Sequence, residues 1–265
     1  MHFEHDPRQR DNEMSKNKKN EPRLFPTVVN SRVAKTYGLS MRFRKAVGGP
    51  EGKLIRQFLG SLCNYIRTNK ETVVFVEPRI ESGVPDVVVV KIKASALRLW
   101  NDAREKLDAT DLRLLHFLSQ LRPRSSGELG AIFKIGVEKS LVRLAEAGLI
   151  RQRKGRWATV SKSSGFAASE IFAIEAKINE WKRVRHQAEL NTWFASRSIV
   201  LVSRMEQAAI LRARFAGSGL GIWICNGKDS MYVAGRARSL PRSYVSWLFS
   251  ELACKVLARG PMRRS

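Results

Sequence analysis

Histidine, cysteine and acid are scarce in this chain, and each shortage excludes something. Of 265 residues only 4 are His and 3 are Cys, and Asp plus Glu number 24 against 48 Lys plus Arg. His2 and His5 lie near the N-terminus, which leaves His116 and His186, too few for a histidine-rich metal site or a Ser-His-Asp triad. Cys63, Cys225 and Cys254 are odd in number and far apart, so neither a disulfide framework nor a zinc knuckle fits, and a reducing cytoplasm is expected. No apolar run is long enough to span a bilayer, and the N-terminus lacks the apolar stretch of a signal peptide. The shortage of acid has the opposite sense. A formal net charge of +24 and a pI near 10.7 imply a polyanionic partner, and nucleic acid is preferred over a membrane surface.

Along the chain, residues 1–23 are polar, charged with both signs and expected to be disordered. Residues 24–49 are basic, with Arg42, Arg44 and Lys45 around Phe43, and end at the breaker Gly48-Gly49-Pro50. From Glu51, Leu54, Ile55, Phe58, Leu59, Leu62 and Ile66 recur at helical spacing. Thr72–Val76 and Asp86–Ile92 read as apolar strands on either side of the Glu81-Ser82-Gly83 turn. The texture changes over residues 108–160. Asp108–Leu121 reads as a helix capped near Thr110 or Asp111, Ser125-Ser126-Gly127-Glu128 is a capping-box pattern, and Gly136–Ala147 is a third helix stopped by Gly148. Lys154-Gly155 then joins Leu149–Arg153 to Arg156–Val160 as a tight hairpin. After a Ser/Gly linker the first texture resumes: strands at Ile171–Lys177, Ser198–Val202 and Leu220–Ile224, and helices at Asn179–Ser196, Met205–Phe215 and Pro241–Leu257. The simplest organisation is one α/β domain, residues 24–107 and 161–265, interrupted by an insertion at 108–160.

Chemistry concentrates at two strand ends. Val84-Pro85-Asp86 opens the run Val87–Val90, and Glu175-Ala176-Lys177 closes the run Ile171–Ile174. The two-residue period of a strand puts Glu175 and Lys177 on one face. Buried charges there need another charge or a metal. If the two strands are neighbours, Asp86 and Glu175 hold Mg²⁺ or Mn²⁺ while Lys177 orients a water or steadies developing negative charge.

This pattern, Pro85-Asp86 … Glu175-x-Lys177, resembles the PD-(D/E)xK nuclease superfamily, whose helix–strand–strand–strand–helix–strand order the chain follows. The resemblance implies a restriction-endonuclease-like core, a mixed central sheet flanked by helices, and a Mg²⁺-dependent DNA endonuclease with Asp86 and Glu175 as metal ligands and Lys177 as catalytic lysine. It also implies Glu51, in the first helix, as an additional acid, and Gln187 on the helix after Glu175-x-Lys177 as a residue facing the site. Asn191 stands where several branches carry a tyrosine. Glu77 and Glu81 are substitutes if the alignment slips, and Arg183 and Arg185 are candidate phosphate contacts.

The segment LVRLAEAGLIRQRKGRWATV, with the two helices before it, resembles a winged helix-turn-helix. That implies duplex DNA binding through Lys139 and Arg143 on the third helix and Arg151, Arg153, Lys154 and Arg156 on the hairpin, with Trp157 in the core. Two other readings stay open: a non-catalytic DNA-binding regulator that uses the nuclease-like domain for dimerisation or partner binding, and an RNA-binding factor. A homodimer is also left open. Antiparallel pairing is expected to set Asp86 near Lys177 and Lys93 near Glu170. The insertion would then emerge about 23 Å from the metal, at about 3.3 Å per residue.

Overall fold

Runs of β-branched residues need two covered faces, and the computed structural model supplies them on both sides of one sheet. It describes residues 26–65, 71–81, 83–134, 136–160, 165–178, 180–226, 229–233, 235–236 and 238–260. The expected disordered tail and most of the Ser/Gly linker lie outside these residues. A mixed seven-stranded sheet has the order β1 (Thr27–Val29), β2 (Thr72–Val76), β3 (Val87–Ile92), β7 (Ala168–Ala176), β8 (Arg197–Val202), β9 (Gly221–Asn226) and β10 (Asp229–Val233). β1–β2, β7–β8 and β8–β9 are parallel, while β2–β3, β3–β7 and β9–β10 are antiparallel. The α/β class is as expected.

Alternation along the strands divides the core. Val74, Val87, Val89, Ile174, Ile199 and Leu201 pack against Leu54, Ile55, Phe58 and Leu62 of the helix Gly49–Tyr65. Val73, Phe75, Val88, Val90, Ile171 and Ala173 pack on the other face, against Val245, Phe249 and Leu252 of the helix Tyr244–Ala258. Further along, Val200, Val202, Ile222 and Ile224 meet Val184 and Ala188 of the helix Trp181–Asn191 and Leu211 of the helix Met205–Arg214. Among the described residues, no helix is long and apolar enough to cross a membrane.

In chain order the helices are α1 (Ser31–Thr36), α2 (Gly49–Tyr65), α3 (Ala94–Arg98), α4 (Asp102–Glu105), α5 (Ala109–Gln120), α6 (Ser126–Phe133), α7 (Val137–Glu146), α8 (Trp181–Asn191), α9 (Met205–Arg214) and α10 (Tyr244–Ala258). Between β3 and β7, α5, α6 and α7 carry a three-stranded antiparallel sheet of β4 (Arg124–Ser125), β6 (Arg156–Thr159) and β5 (Ile150–Arg153). The capping box at Ser125 and Glu128 is present. α5 is capped two to three residues earlier than expected, by Asp108, with Asp111 completing the box. Lys154 and Gly155 both take positive φ, 49° and 73°, which matches the tight turn expected there.

Two expectations change. β3 and β7 are antiparallel neighbours, but Val87 faces Ile174 and Lys91 faces Glu170, a register two residues away from the expected one. Asp86 therefore stands opposite Glu175 rather than Lys177. Residues 94–107, expected as a slack linker, instead form α3 and α4, pinned to α10. Trp100 Nε1 and Arg104 Nε donate to Glu251 Oε2 at 3.2 and 3.1 Å, and Arg104 Nη2 donates to Gly165 O at 2.7 Å. The chain thus runs back along α10, and α5 reaches its N-terminal end, where Arg113 lies 5.1 Å from the Tyr244 ring and pairs with Glu81. The insertion leaves the sheet at the far end and returns to the end that carries Asp86.

Candidate active site

Three strands deliver three acids to one end of the sheet. Glu77 follows β2, Asp86 precedes β3 and Glu175 lies in β7; the Glu77 N–H donates to Asp86 O at 2.8 Å, and the register sets Asp86 against Glu175. Asp86 has the strand parity of Val88 and Val90, and Glu175 that of Ile171 and Ala173, so both leave the sheet on the face covered by α8 and α10. All three are buried.

Each acid is held by named donors. The Ala176 N–H donates to Asp86 Oδ2 at 2.8 Å, and Arg44 Nη2 to Asp86 Oδ1 at 2.9 Å. The same guanidinium pairs with Glu77, whose Oε1 also accepts the Val47 N–H at 3.2 Å. Asn191 Nδ2 donates to Glu175 Oε1 at 2.7 Å. Lys177 Nζ sits 3.0 Å from both oxygens of Glu51 at the start of α2. Glu77 adopts φ 59°, a left-handed backbone that costs a non-glycine residue on the order of 1–3 kcal/mol and persists where its surroundings over-determine it.

Burial raises the carboxyls of Asp86 and Glu175 above their ordinary values; the charge of Asp86 adds to the effect on Glu175, while the Ala176 N–H opposes it on Asp86. Four carboxylates here face two cations, Arg44 and Lys177. A site with surplus buried negative charge favours protons or a metal.

The donor chemistry suits Mg²⁺ or Mn²⁺. Asp86 and Glu175 offer hard oxygens from facing positions, and a carboxylate oxygen that accepts one hydrogen bond keeps a second lone pair. Among the described residues, no three His, Cys, Asp or Glu side chains come together as a preformed cage. Mg²⁺ is commonly bound by one or two carboxylates with several waters retained, so a two-carboxylate site fits it. Gln187 Oε1 is a buried acceptor without a hydrogen-bond partner, one turn before Asn191 on α8.

Of the expected site residues, Glu51, Asp86, Glu175 and Lys177 come together here. Glu51 is placed as the partner of Lys177. Glu81 is not part of the cluster, because it pairs with Arg113. Arg183 and Arg185 are tied to Glu180 and Glu189 on their own helix. Arg44 was missed as a site residue, since one arginine among 48 basic residues carries no signal; Asn191 was noted only as a departure from the resemblance.

In the insertion, Lys139, Arg151, Arg153, Lys154 and Arg156 are exposed. Arg156 Nη1 reaches Pro123 O at 3.2 Å and lies 3.6 Å from Glu128. Arg143 is not free for a groove: its Nε and Nη2 donate to buried Asp111 at 2.8 and 2.7 Å, and Asp108 lies 3.3 Å away. A basic residue facing α5 finds the acids of the α5 cap before it finds solvent. Trp157 packs against the core, with its Nε1 donating to Ser126 Oγ at 3.0 Å. No protein-family model matches the chain, and neither curated proteins nor solved structures provide a significant match.

Proposed function

We infer that the protein is a metal-dependent DNA endonuclease of the PD-(D/E)xK type, with a restriction-endonuclease-like core interrupted by a winged helix. The observation that carries the reading is the convergence of Asp86, Glu175, Lys177 and Glu51, drawn from β3, β7 and α2, at one end of one sheet. The element order α2–β2–β3–β7–α8–β8 agrees with it.

Asp86 and Glu175 would hold Mg²⁺ or Mn²⁺, which stabilises charge on the scissile phosphate and the leaving oxygen. Lys177, steadied by both oxygens of Glu51, donates hydrogen bonds that orient the attacking water. Asn191 fixes Glu175 in one rotamer and leaves its second oxygen available. Lys139 and the exposed cations of β5 and β6 neutralise duplex phosphates.

Asp86→Ala, Glu175→Ala and Lys177→Ala should each abolish Mg²⁺-dependent cutting of plasmid DNA while leaving duplex binding within about twofold, because the phosphate-binding cations remain. Undiminished cutting by Asp86→Ala would sink the assignment. One observation favours a second, non-catalytic reading: Arg44 pairs with both Asp86 and Glu77 and so offsets part of their charge. Under that reading, a DNA-binding regulator, the wild-type protein binds duplex and cuts nothing in Mg²⁺ or Mn²⁺.

A further inference from the structure

A short ribbon leads away from the acid cluster. The Arg44 N–H donates to Glu77 O at 2.9 Å, Phe43 faces Pro78, and the Arg79 N–H donates to Arg42 O at 2.9 Å. Two residues beyond Arg44 and Glu77, about 7 Å at strand spacing, Arg42 and Arg79 are exposed side by side. Neither guanidinium has a hydrogen-bond or ion-pair partner among the described residues. Both line a cleft of about 450 Å³ with apolar Met41 and Leu248, bounded on the insertion side by Arg113 and Tyr244. A second hollow of about 380 Å³ shares Met41, Arg42 and Arg79 and adds Lys35. The two adjoin along Met41, Arg42 and Arg79, with α5 bounding the first and α1 the second, and together are treated as one groove.

Unneutralised arginines beside an apolar floor and an aromatic ring are the chemistry of a phosphodiester carrying a base. Glu81 is the one acid lining either hollow, and it is occupied by Arg113. A duplex, whose major groove alone is about 12 Å wide, does not enter a cleft of this volume, whereas a single strand does. We propose that this groove binds the backbone of an unpaired nucleic-acid strand, with Arg42 and Arg79 on neighbouring phosphates and Tyr244 presented to a base. The proposal deepens the nuclease reading by locating the strand beside the cut, and its test needs no cleavage.

The test is fluorescence anisotropy of the full chain in EDTA, with a labelled oligothymidine and, separately, a labelled blunt duplex. Arg42→Gln with Arg79→Gln should weaken oligothymidine binding about tenfold and reduce the salt slope by roughly 1.4, at about 0.7 per lost phosphate contact on a single strand. Arg42→Lys with Arg79→Lys should retain the slope. Duplex binding through β5 and β6 should stay within about twofold in both variants. Unchanged oligothymidine affinity and slope would overturn the proposal. So would an equal loss for the duplex, or competition by free mononucleotide as effective as by the oligonucleotide. Absence of plasmid cutting would end the nuclease reading and leave this binding result standing.

Discussion

At the scale of the residue, Glu175 is the side chain with most to reveal. Its pKa and that of Asp86 are raised above the ordinary 4.5 and 3.8, so the folded metal-free protein binds protons that the unfolded chain has lost. Stability is therefore undiminished below the ordinary carboxylate range and falls as pH rises from there through the raised values. Glu175→Gln removes the charge and keeps an acceptor for Asn191. It should flatten that pH dependence and raise the metal-free melting temperature at alkaline pH; an unaltered slope of Tm against pH would count against the burial argument. Under the proposed function Mg²⁺ would displace these protons, so its affinity should increase with pH, with proton release visible as buffer-dependent heat in calorimetry. Asp86 and Glu175 were legible because a charge beside an unbroken apolar run, Val87–Val90 or Ile171–Ile174, stands out. Arg44 and Glu77 were less so: one sits in a basic stretch, and the other leaves the strand period through a left-handed residue.

Elements were legible in proportion to their length and periodicity. β2 has the expected ends, and β3, β8 and α9 lie within one residue of theirs, because the strands are near-continuous apolar runs and the helix places Ala208 and Leu211 at helical spacing. α3 and α4, of 5 and 4 residues, are too short to show a period, so a structured return path read as a linker. That path depends on Arg104, which is buried against Glu251. Arg104→Ala strands a buried carboxylate and should cost about 3–5 kcal/mol by urea titration, whereas Arg104→Met with Glu251→Leu should recover most of the loss. A double variant as unstable as the single one would show that the pair's charges, not its packing, hold α4. The hairpin turn gives a second test. Gly155 at φ 73° tolerates a β-branched side chain poorly, so Gly155→Val should disorder the β5–β6 turn and weaken duplex binding while melting of the remainder is unchanged.

For the whole molecule, the charge of +24 acts through a few exposed clusters rather than evenly. Arg151, Arg153 and Lys154 make no ion pair among the described residues and, under the proposed function, should dominate duplex binding. Neutralising all three should lower the salt slope by roughly 2.7, at about 0.9 per phosphate on B-DNA. A constant slope would reassign β5 and β6 to contacts with protein. Leu112, Leu115 and Leu118 of the insertion share one apolar cluster with Val88, Val90 and Phe249, so insertion and sheet should melt in a single transition by calorimetry and tryptophan fluorescence. Two separated transitions would show that the shared cluster does not couple them.

α10 adds a matter of timing. Part of the cover of the sheet face that bears Asp86 and Glu175, α10, comes late in the chain, roughly 70 residues after Lys177. At about 5–20 residues per second, a ribosome spends roughly 4–14 s with β3 and β7 made and α10 unmade. Through that interval Val88, Val90, Ile171 and Ala173 lack the α10 part of their cover, and the growing chain is more prone to aggregation. The packing around Asp86 and Glu175 is thus completed only when α10 docks, a delay built into chain order.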